Sequence, residues 1–239
     1  YSFPYPLLFS IGLLVFCKAQ PRPWLALVLA FPYLILIVAM GYTRQSVAIG
    51  MEMIALLALE RRKLFQYVGW LAIGATFHRS ILLLLLLPLS TLSPTLKFFN
   101  LIRTGLIVGG TFGLFTGVIR PAISRSMVFY AADQMTSSGA WTRVILCILP
   151  AVAFLCIRKR FGLSQLANRI WTLIAFLAIA SGVALLSGVP TTFVDRVALY
   201  LIPIQIFVGS RLPDTSLFFL KPFAWKQLLI LLSFAVMIV

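Results

Sequence analysis

Apolar runs separated by short basic groups are the feature that most constrains the fold of this chain. Hydrophobic residues make up 62% of the 239 positions and charged residues only 10%. A bilayer core needs about 20 apolar residues per helical crossing, so the length allows roughly nine or ten short crossings and no soluble domain. Because backbone polar groups in lipid must be satisfied internally, the sequence predicts an all-α polytopic membrane protein. We expect a single transmembrane domain over residues 1–239, and the start at Tyr1 is compatible with a fragment of a longer protein.

The segment 41–80 predicts a helical hairpin at the centre of the protein. Two apolar runs of about 15 residues flank the sequence ERRK at 60–63, and each would be about 22 Å long as a helix. If ERRK forms a tight turn, the open ends of the hairpin reach the same membrane face. That face would then carry Arg44, Gln45, His78 and Arg79.

Eight further apolar runs surround this hairpin. They cover about residues 5–17, 24–41, 80–92, 104–119, 141–157, 170–188 and 195–209, with a last run after Lys226. Placing ERRK and the group Arg158-Lys159-Arg160 in the cytoplasm puts 14 of the 20 basic residues on that side. This bias is what the positive-inside rule produces. The net charge of +15 therefore indicates membrane topology rather than nucleic-acid binding.

The basic residues on the opposite face are all arginine, whereas all six lysines fall on the cytoplasmic side. Topology requires only positive charge and does not explain this split. Guanidinium groups bind phosphate oxygens bidentately and remain charged in a partly dry site. An anionic ligand at the outer face is the interpretation we favour, with six candidates: Arg44, Arg79, Arg120, Arg125, Arg143 and Arg196.

Two residues are candidates for proton transfer. His78 is the only histidine, with an unperturbed pKa near 6.5. Asp195 could orient this histidine or act as the base itself, and the sequence leaves both possibilities open. It could also form only a local ion pair with Arg196, just as Arg44 could simply anchor a helix end to lipid headgroups. Glu52, inside a predicted span, is interpreted as structural.

Metal and cofactor chemistry is not predicted. The outer face offers few carboxylates and no second histidine, so we expect no metal site and no cofactor. A diphosphate bound at this face would be neutralised by arginine.

Four short blocks of the sequence carry a resemblance to a known family. They are GYTRQSVAIG, the ERRK turn, FHRSILLLLLLPL and, much later, DRVALYLIPI. Together they resemble the EpsG family of Wzy-like exopolysaccharide polymerases. The resemblance implies a multi-pass enzyme of the bacterial inner membrane, with a scaffold like that of lipid-linked-sugar glycosyltransferases. Carried over residue by residue, it points to Arg44, Gln45, His78, Arg196 and Tyr200.

The activity that the resemblance implies is polymerisation of repeat units carried on undecaprenyl diphosphate, at the periplasmic face and without metal. Both donor and acceptor would be lipid-linked oligosaccharides, surrounded by membrane lipids. Proteins of polysaccharide export and chain-length control are further expected partners. The predicted diphosphate contacts are Arg44, Arg196, Arg79 and Arg125, with Gln45 and Tyr200 beside them and His78 or Asp195 as base. The alternatives are a transporter or flippase for the same glycans, an acyltransferase using His78, and a structural subunit of a synthase complex.

Overall fold

The computed structural model describes residues 4–91, 110, 113, 117, 120, 121, 124, 128, 137, 139–215 and 227–230, with side chains of the first segment described to residue 88. Within these residues every regular element is a helix. We number the α-helices α1 Pro4–Lys18, α2 Pro23–Ala30, α3 Thr43–Glu60, α4 Leu64–Phe77, α5 Ala140–Ile157, α6 Gln165–Leu186, α7 Thr191–Ala198 and α8 Pro203–Gly209. The all-α polytopic class predicted from composition is confirmed.

Membrane-spanning length is reached in three of the described stretches, Ala140–Arg160, Gln165–Leu186 and Thr191–Asp214. Shorter apolar helices cover Pro4–Lys18, Pro23–Ala39, Leu64–Phe77 and Arg79–Pro88. The predicted glycine-rich run at 104–119, the polar stretch at 120–140 and the last run fall largely outside the described residues. That the whole chain forms one domain stays a prediction.

Helix α3 is the central helix of the bundle. Its residues from Gln45 to Met53 are all buried, so it is enclosed by protein on every face. A helix that is enclosed in this way needs no polar stripe, and small residues such as Ala48 and Gly50 let neighbours approach its backbone. Of the predicted central hairpin 41–80, α3 has this position, whereas α4 buries only Tyr67, Leu71 and Gly74.

The hairpin turn is closed by backbone hydrogen bonds at the end of α3. The Arg62 amide donates to the Leu59 carbonyl and the Lys63 amide to the Ala58 carbonyl, both at 2.9 Å. Arg62 takes a left-handed conformation with φ 60°, as this type of helix cap requires. The ERRK segment therefore reverses the chain within a few residues and starts α4 antiparallel to α3.

Helix α1 runs parallel to α3 and touches it backbone to backbone. A methyl group placed on Gly12 would lie 2.6 Å from the Gly50 Cα and would overlap the Gly50 carbonyl group. Only glycine fits at this crossing, because any side chain would push the two helices apart. The contact fixes the rotation and the height of α3 relative to α1.

Several elements differ in detail from their predicted runs. The leucine run that follows His78 is a 13-residue 3-10 helix, Arg79–Thr91. At about 2.0 Å per residue it is about 26 Å long, so a short run covers most of a bilayer core. Helix α2 continues as a π-helix, Phe31–Ala39.

The predicted runs at about 170–188 and 195–209 begin earlier than expected. Helix α6 starts at Gln165 because the Ser164 hydroxyl accepts a hydrogen bond from the Ala167 amide at 3.2 Å. Helix α7 starts at Thr191, so Asp195 lies in its second turn instead of opening the span. The helix then tightens into a 3-10 turn at Leu199–Leu201, before Pro203, whose ring cannot follow a regular α-helix at that point.

Candidate functional site

Polar side chains from four separate segments meet at one end of the bundle. They come from the beginning of α3, the connection after α4, the beginning of α5, and α7 with its 3-10 continuation. The opposite end holds the ERRK turn and a different polar set, in which Trp171 donates to Glu60 and Arg211 to Gln20, each at 2.5 Å. We call the first group the arginine–histidine cluster: Tyr42, Gln45, His78, Ser137, Arg143, Asp195, Arg196 and Tyr200.

His78 pairs with Tyr200 across 122 positions of sequence. Its Nδ1 lies 2.7 Å from the Tyr200 hydroxyl, and the two rings are 6.0 Å apart. His78 is half-buried in the connection between α4 and the 3-10 helix, whereas Tyr200 is buried. Burial, followed by the charge of Arg196, lowers the pKa of His78 from 6.5 to about 4. The imidazole is therefore neutral at physiological pH, with a lone pair on one of its ring nitrogens.

Gln45 holds the backbone of α7 at the neighbouring position. Its Nε2 donates to the Arg196 carbonyl oxygen at 2.7 Å. The other amide atom, Oε1, is buried with no hydrogen-bond partner among the described residues, and the same is true of the Arg196 Nε. Buried polar groups of this kind are normally satisfied. An acceptor and a guanidinium donor are thus available for a ligand beside His78.

Asp195 is bound to Arg143 and not to its sequence neighbour Arg196. Its Oδ2 accepts a hydrogen bond from the Arg143 Nη1 and a second one, at 3.1 Å, from the Ser137 hydroxyl. The side chains of Asp195 and Arg143 are 3% and 13% exposed, so this is a buried ion pair. The local Asp195–Arg196 pair considered from the sequence is not the one that forms, and the histidine's hydrogen-bond partner is Tyr200.

Tyr42 lies between the two arginines of the cluster. The guanidinium carbon of Arg143 is 5.2 Å from the centre of the Tyr42 ring, and that of Arg196 is 5.9 Å away. Both distances fall within the range of cation–π attraction. Asp195 neutralises one of these guanidinium groups, which leaves Arg196 as the cation of the cluster without a carboxylate partner among the described residues.

Three predicted phosphate contacts are not joined to this cluster by any described contact. Arg44, in the first turn of α3, is exposed, and so is Arg79 at the beginning of the 3-10 helix. Arg125 lies outside the described residues. The structure therefore brings together Gln45, His78, Asp195, Arg196 and Tyr200 from the predicted set.

Sequence reasoning left Tyr42 out of the candidate site and named Arg143 only as one of the six outer-face arginines, without a contact of its own to the diphosphate. Arg143 was detectable in principle, because it belongs to the six arginines of the outer face. The sequence contains only a weak indication of Tyr42, because the residue stands two positions before Arg44 at the open end of the predicted hairpin. Their roles depend on contacts between helices, which spacing in the sequence does not reveal.

Glu52 lies deeper in α3, near enough to Tyr200 for its charge to act on that residue of the cluster. The side chain is buried, and its Oε2 has no hydrogen-bond partner within the described part of the chain. A lone carboxyl group in that setting is costly when ionised. Its structural interpretation stays a prediction.

In the residues that the structure describes, no three His, Cys, Asp or Glu side chains are grouped so as to hold a metal ion. The side chains that could contact a ligand at this end are a guanidinium group, an imidazole, a carboxamide and two phenols. Such a set suits a ligand that is anionic on one side and rich in hydroxyl groups on the other.

Comparison with known proteins gives one match. A family model described as the EpsG family matches residues 1–239, the whole chain. No curated protein and no solved structure matches.

Proposed function

This chain belongs to the EpsG family of exopolysaccharide, Wzy-like polymerases, and on that premise we propose that it joins lipid-linked oligosaccharide repeat units by glycosyl transfer. The proposed donor and acceptor carry undecaprenyl diphosphate. The proposed location is the bacterial inner membrane, with the arginine–histidine cluster facing the periplasm. This orientation follows from the excess of basic residues at the end with the ERRK turn.

The observation that supports the proposal most directly is the position of Arg196 beside His78. The buried Nε of Arg196 has no hydrogen-bond partner among the described residues, and the Arg196 charge acts on the imidazole of His78, which is neutral at physiological pH. Diphosphate is the leaving group in this type of transfer, and it needs a cation that stays charged where water is scarce. The attacking sugar hydroxyl needs a proton acceptor at the same place.

The reaction we propose is a single displacement. The acceptor's hydroxyl oxygen forms a bond to the donor's anomeric carbon while the bond from that carbon to the diphosphate oxygen breaks. The bonding electron pair leaves with the diphosphate, whose growing negative charge Arg196 stabilises. The hydroxyl proton passes to the base, a contribution of roughly 10²- to 10⁴-fold in rate.

The hydrogen bond between His78 and Tyr200 selects the nitrogen that would act as base. If Nδ1–H donates to the Tyr200 oxygen, then Nε2 carries the lone pair and is free to take the proton. Tyr200 in this scheme fixes the tautomer and the orientation of the ring, as second partners of histidine do elsewhere. Asp195, already bound to Arg143 and Ser137, is the less suitable base of the two candidates.

Gln45 and the Arg143–Asp195 pair would position the groups that contact the substrate. Gln45 ties α3 to the backbone of Arg196. Its Oε1, which has no hydrogen-bond partner in the described part of the chain, could accept a hydrogen bond from a sugar hydroxyl. Asp195 and Tyr42 hold Arg143 at the edge of the cluster. Arg44 and Arg79 are both exposed. In this proposal they contact the diphosphate from the open side of the site when the lipid-linked donor binds.

The experiment compares two Arg-to-Lys variants in cells whose surface polysaccharide depends on this protein. We expect Arg196→Lys to lose most polymer and to accumulate single repeat units on their lipid carrier, because an ammonium group cannot replace the guanidinium fork. Arg160→Lys is the matched control, since Arg160 is exposed at the opposite end. It should make polymer of normal length at equal protein levels.

The location of the accumulated units separates the polymerase from a flippase. Units that collect on the periplasmic face indicate failed polymerisation, whereas a flippase defect leaves them on the cytoplasmic face. An acyltransferase defect would leave the glycan length unchanged. Normal polymer from a stably produced Arg196→Lys variant would refute the proposal.

A further inference from the structure

A second polar recess lies at the end of the bundle opposite the arginine–histidine cluster. It is a cavity of about 260 Å³ formed where the last turns of α1 and α3 meet the first turns of α4. Its polar side chains are Lys18, Arg61, Gln66 and Trp70, and among the apolar ones are Val15 and Ile54. We call this cavity the Lys18–Arg61 pocket.

The helix arrangement explains why a cavity opens at this height. At Gly12 and Gly50, α1 and α3 are in backbone contact. One turn further along both helices, Val15 and Ile54 line the pocket. Trp70 of α4 closes the third side. The floor of the pocket is thus apolar, and its rim carries the charges.

Neither cation at the rim forms a salt bridge within the described part of the chain. The salt bridges among the described residues join Arg22 to Asp214 and Arg143 to Asp195, and neither includes Lys18 or Arg61. The nearby carboxyl group of Glu60 accepts a hydrogen bond from Trp171 of α6. Lys18 and Arg61 are therefore outside the salt bridges of the described residues, and the charge of Arg61 also acts on the neighbouring Glu60 carboxyl group. Both can contact an anion that enters the pocket.

The outer wall of the pocket continues into lipid-facing surface. Leu14 and Val15 of α1 are 45% and 41% exposed, and Ile73 of α4, about one turn beyond Trp70, is 46% exposed. An indole and two cations at the end of an apolar helical surface are typical of the membrane interface. A ligand held here would have an anionic head at the rim and an apolar tail along the helices.

We propose that the Lys18–Arg61 pocket binds the phosphate headgroup of an anionic phospholipid, with an acyl chain lying against α1 and α4. Basic pockets between transmembrane helices bind anionic headgroups in this way. Lys18 and Arg61 contact the phosphate oxygens, and the Gln66 amide and the Trp70 indole nitrogen can donate to the glycerol part of the headgroup. This site does not depend on the proposed polymerase activity.

The test uses the full chain, purified in detergent and relipidated with phosphatidylglycerol or phosphatidylcholine, and measures lipid binding by titration and thermal unfolding. One variant combines Lys18→Gln with Arg61→Gln. The matched control combines Lys159→Gln with Arg160→Gln and removes two exposed cations from the same end of the bundle. Inorganic phosphate alone is the third ligand.

Each cation near an anionic headgroup contributes about fivefold to affinity, so the pocket variant should bind phosphatidylglycerol about 25- to 30-fold more weakly. The control should keep its affinity, and phosphatidylcholine should bind both proteins equally. Equal losses in the pocket variant and the control would overturn the proposal, because they would indicate unspecific surface charge. Stabilisation by inorganic phosphate that matches phosphatidylglycerol would also overturn it, since the site would then take a free anion.

Discussion

Removing the carboxylate of Asp195 tests how the arginine–histidine cluster is held together. The Asp195 and Arg143 side chains are 3% and 13% exposed, which places them among buried ion pairs and not among surface pairs worth less than about 1 kcal/mol. Removing one partner of a buried pair costs about 3–5 kcal/mol, because the other charge is left uncompensated. We therefore expect Asp195→Asn to lower the free energy of unfolding by about that amount.

The double variant supplies the decisive comparison. Replacing both members with apolar residues, Arg143→Met with Asp195→Leu, removes the stranded charge as well as the pair and should cost far less than either single change. A double-mutant cycle measured by equilibrium unfolding in mixed micelles then gives a coupling energy of about 3 kcal/mol or more. A cost below about 1 kcal/mol for Asp195→Asn would refute the assignment of a buried pair.

The same variants separate the two candidate bases. If Asp195 serves only to hold Arg143, the stable double variant should keep part of its polymerising activity, measured as glycan length. His78→Gln should instead abolish activity without a comparable loss of stability. A double variant that folds normally but makes no polymer, alongside a His78→Gln variant that still does, would identify Asp195 as the base and contradict our mechanism.

Four further predictions rest on individual residues. Because burial and Arg196 hold the pKa of His78 at about 4, activity should keep its neutral-base plateau well below pH 6.5 and fall only near pH 4; a falling limb centred at 6.5 in the rate profile would contradict this. The same shift makes the folded state bind fewer protons than the unfolded chain, so acid unfolding should show stability declining from about pH 6.5 down to about pH 4. Gly12→Val should destabilise the protein by about 1–3 kcal/mol or prevent its accumulation, since the new side chain overlaps Gly50. Gly69→Val is the control in the same unfolding assay, because nothing lies within 4 Å of a methyl group added at Gly69. Tyr42→Leu should weaken polymerisation more than Tyr42→Phe, because phenylalanine keeps the ring that both guanidinium groups contact; equal rates for the two variants would argue against a cation–π role.

Composition and charge placement were enough to predict the general architecture. Lipid permits few spanning structures, so long apolar runs predict helices without any knowledge of tertiary contacts. The turn at ERRK also followed from local sequence, because four polar residues between two apolar runs have no place inside a bilayer. The structure confirms this turn and the antiparallel pair Thr43–Glu60 and Leu64–Phe77.

The pairing of side chains within the cluster was not predictable in the same way. Asp195 stands next to Arg196 in the sequence but binds Arg143, 52 positions away. The reason is geometric: adjacent residues on a helix point about 100° apart, so neighbours in the chain seldom face the same partner. His78 and Tyr200 likewise meet only because two distant segments pack together.

The sequence by itself determined that this chain is a helical membrane protein, that it turns at ERRK and that all six lysines fall on the same side as this turn. Those properties depend on the cost of placing polar groups in lipid, which acts on each segment separately. The tertiary structure alone decided how each helix is rotated, and with it which arginine meets Tyr42, which acid it binds and what holds His78. A helix such as α3 is apolar almost all round and shows no polar stripe to indicate its orientation, so contacts such as Gly12 against Gly50 have to set it.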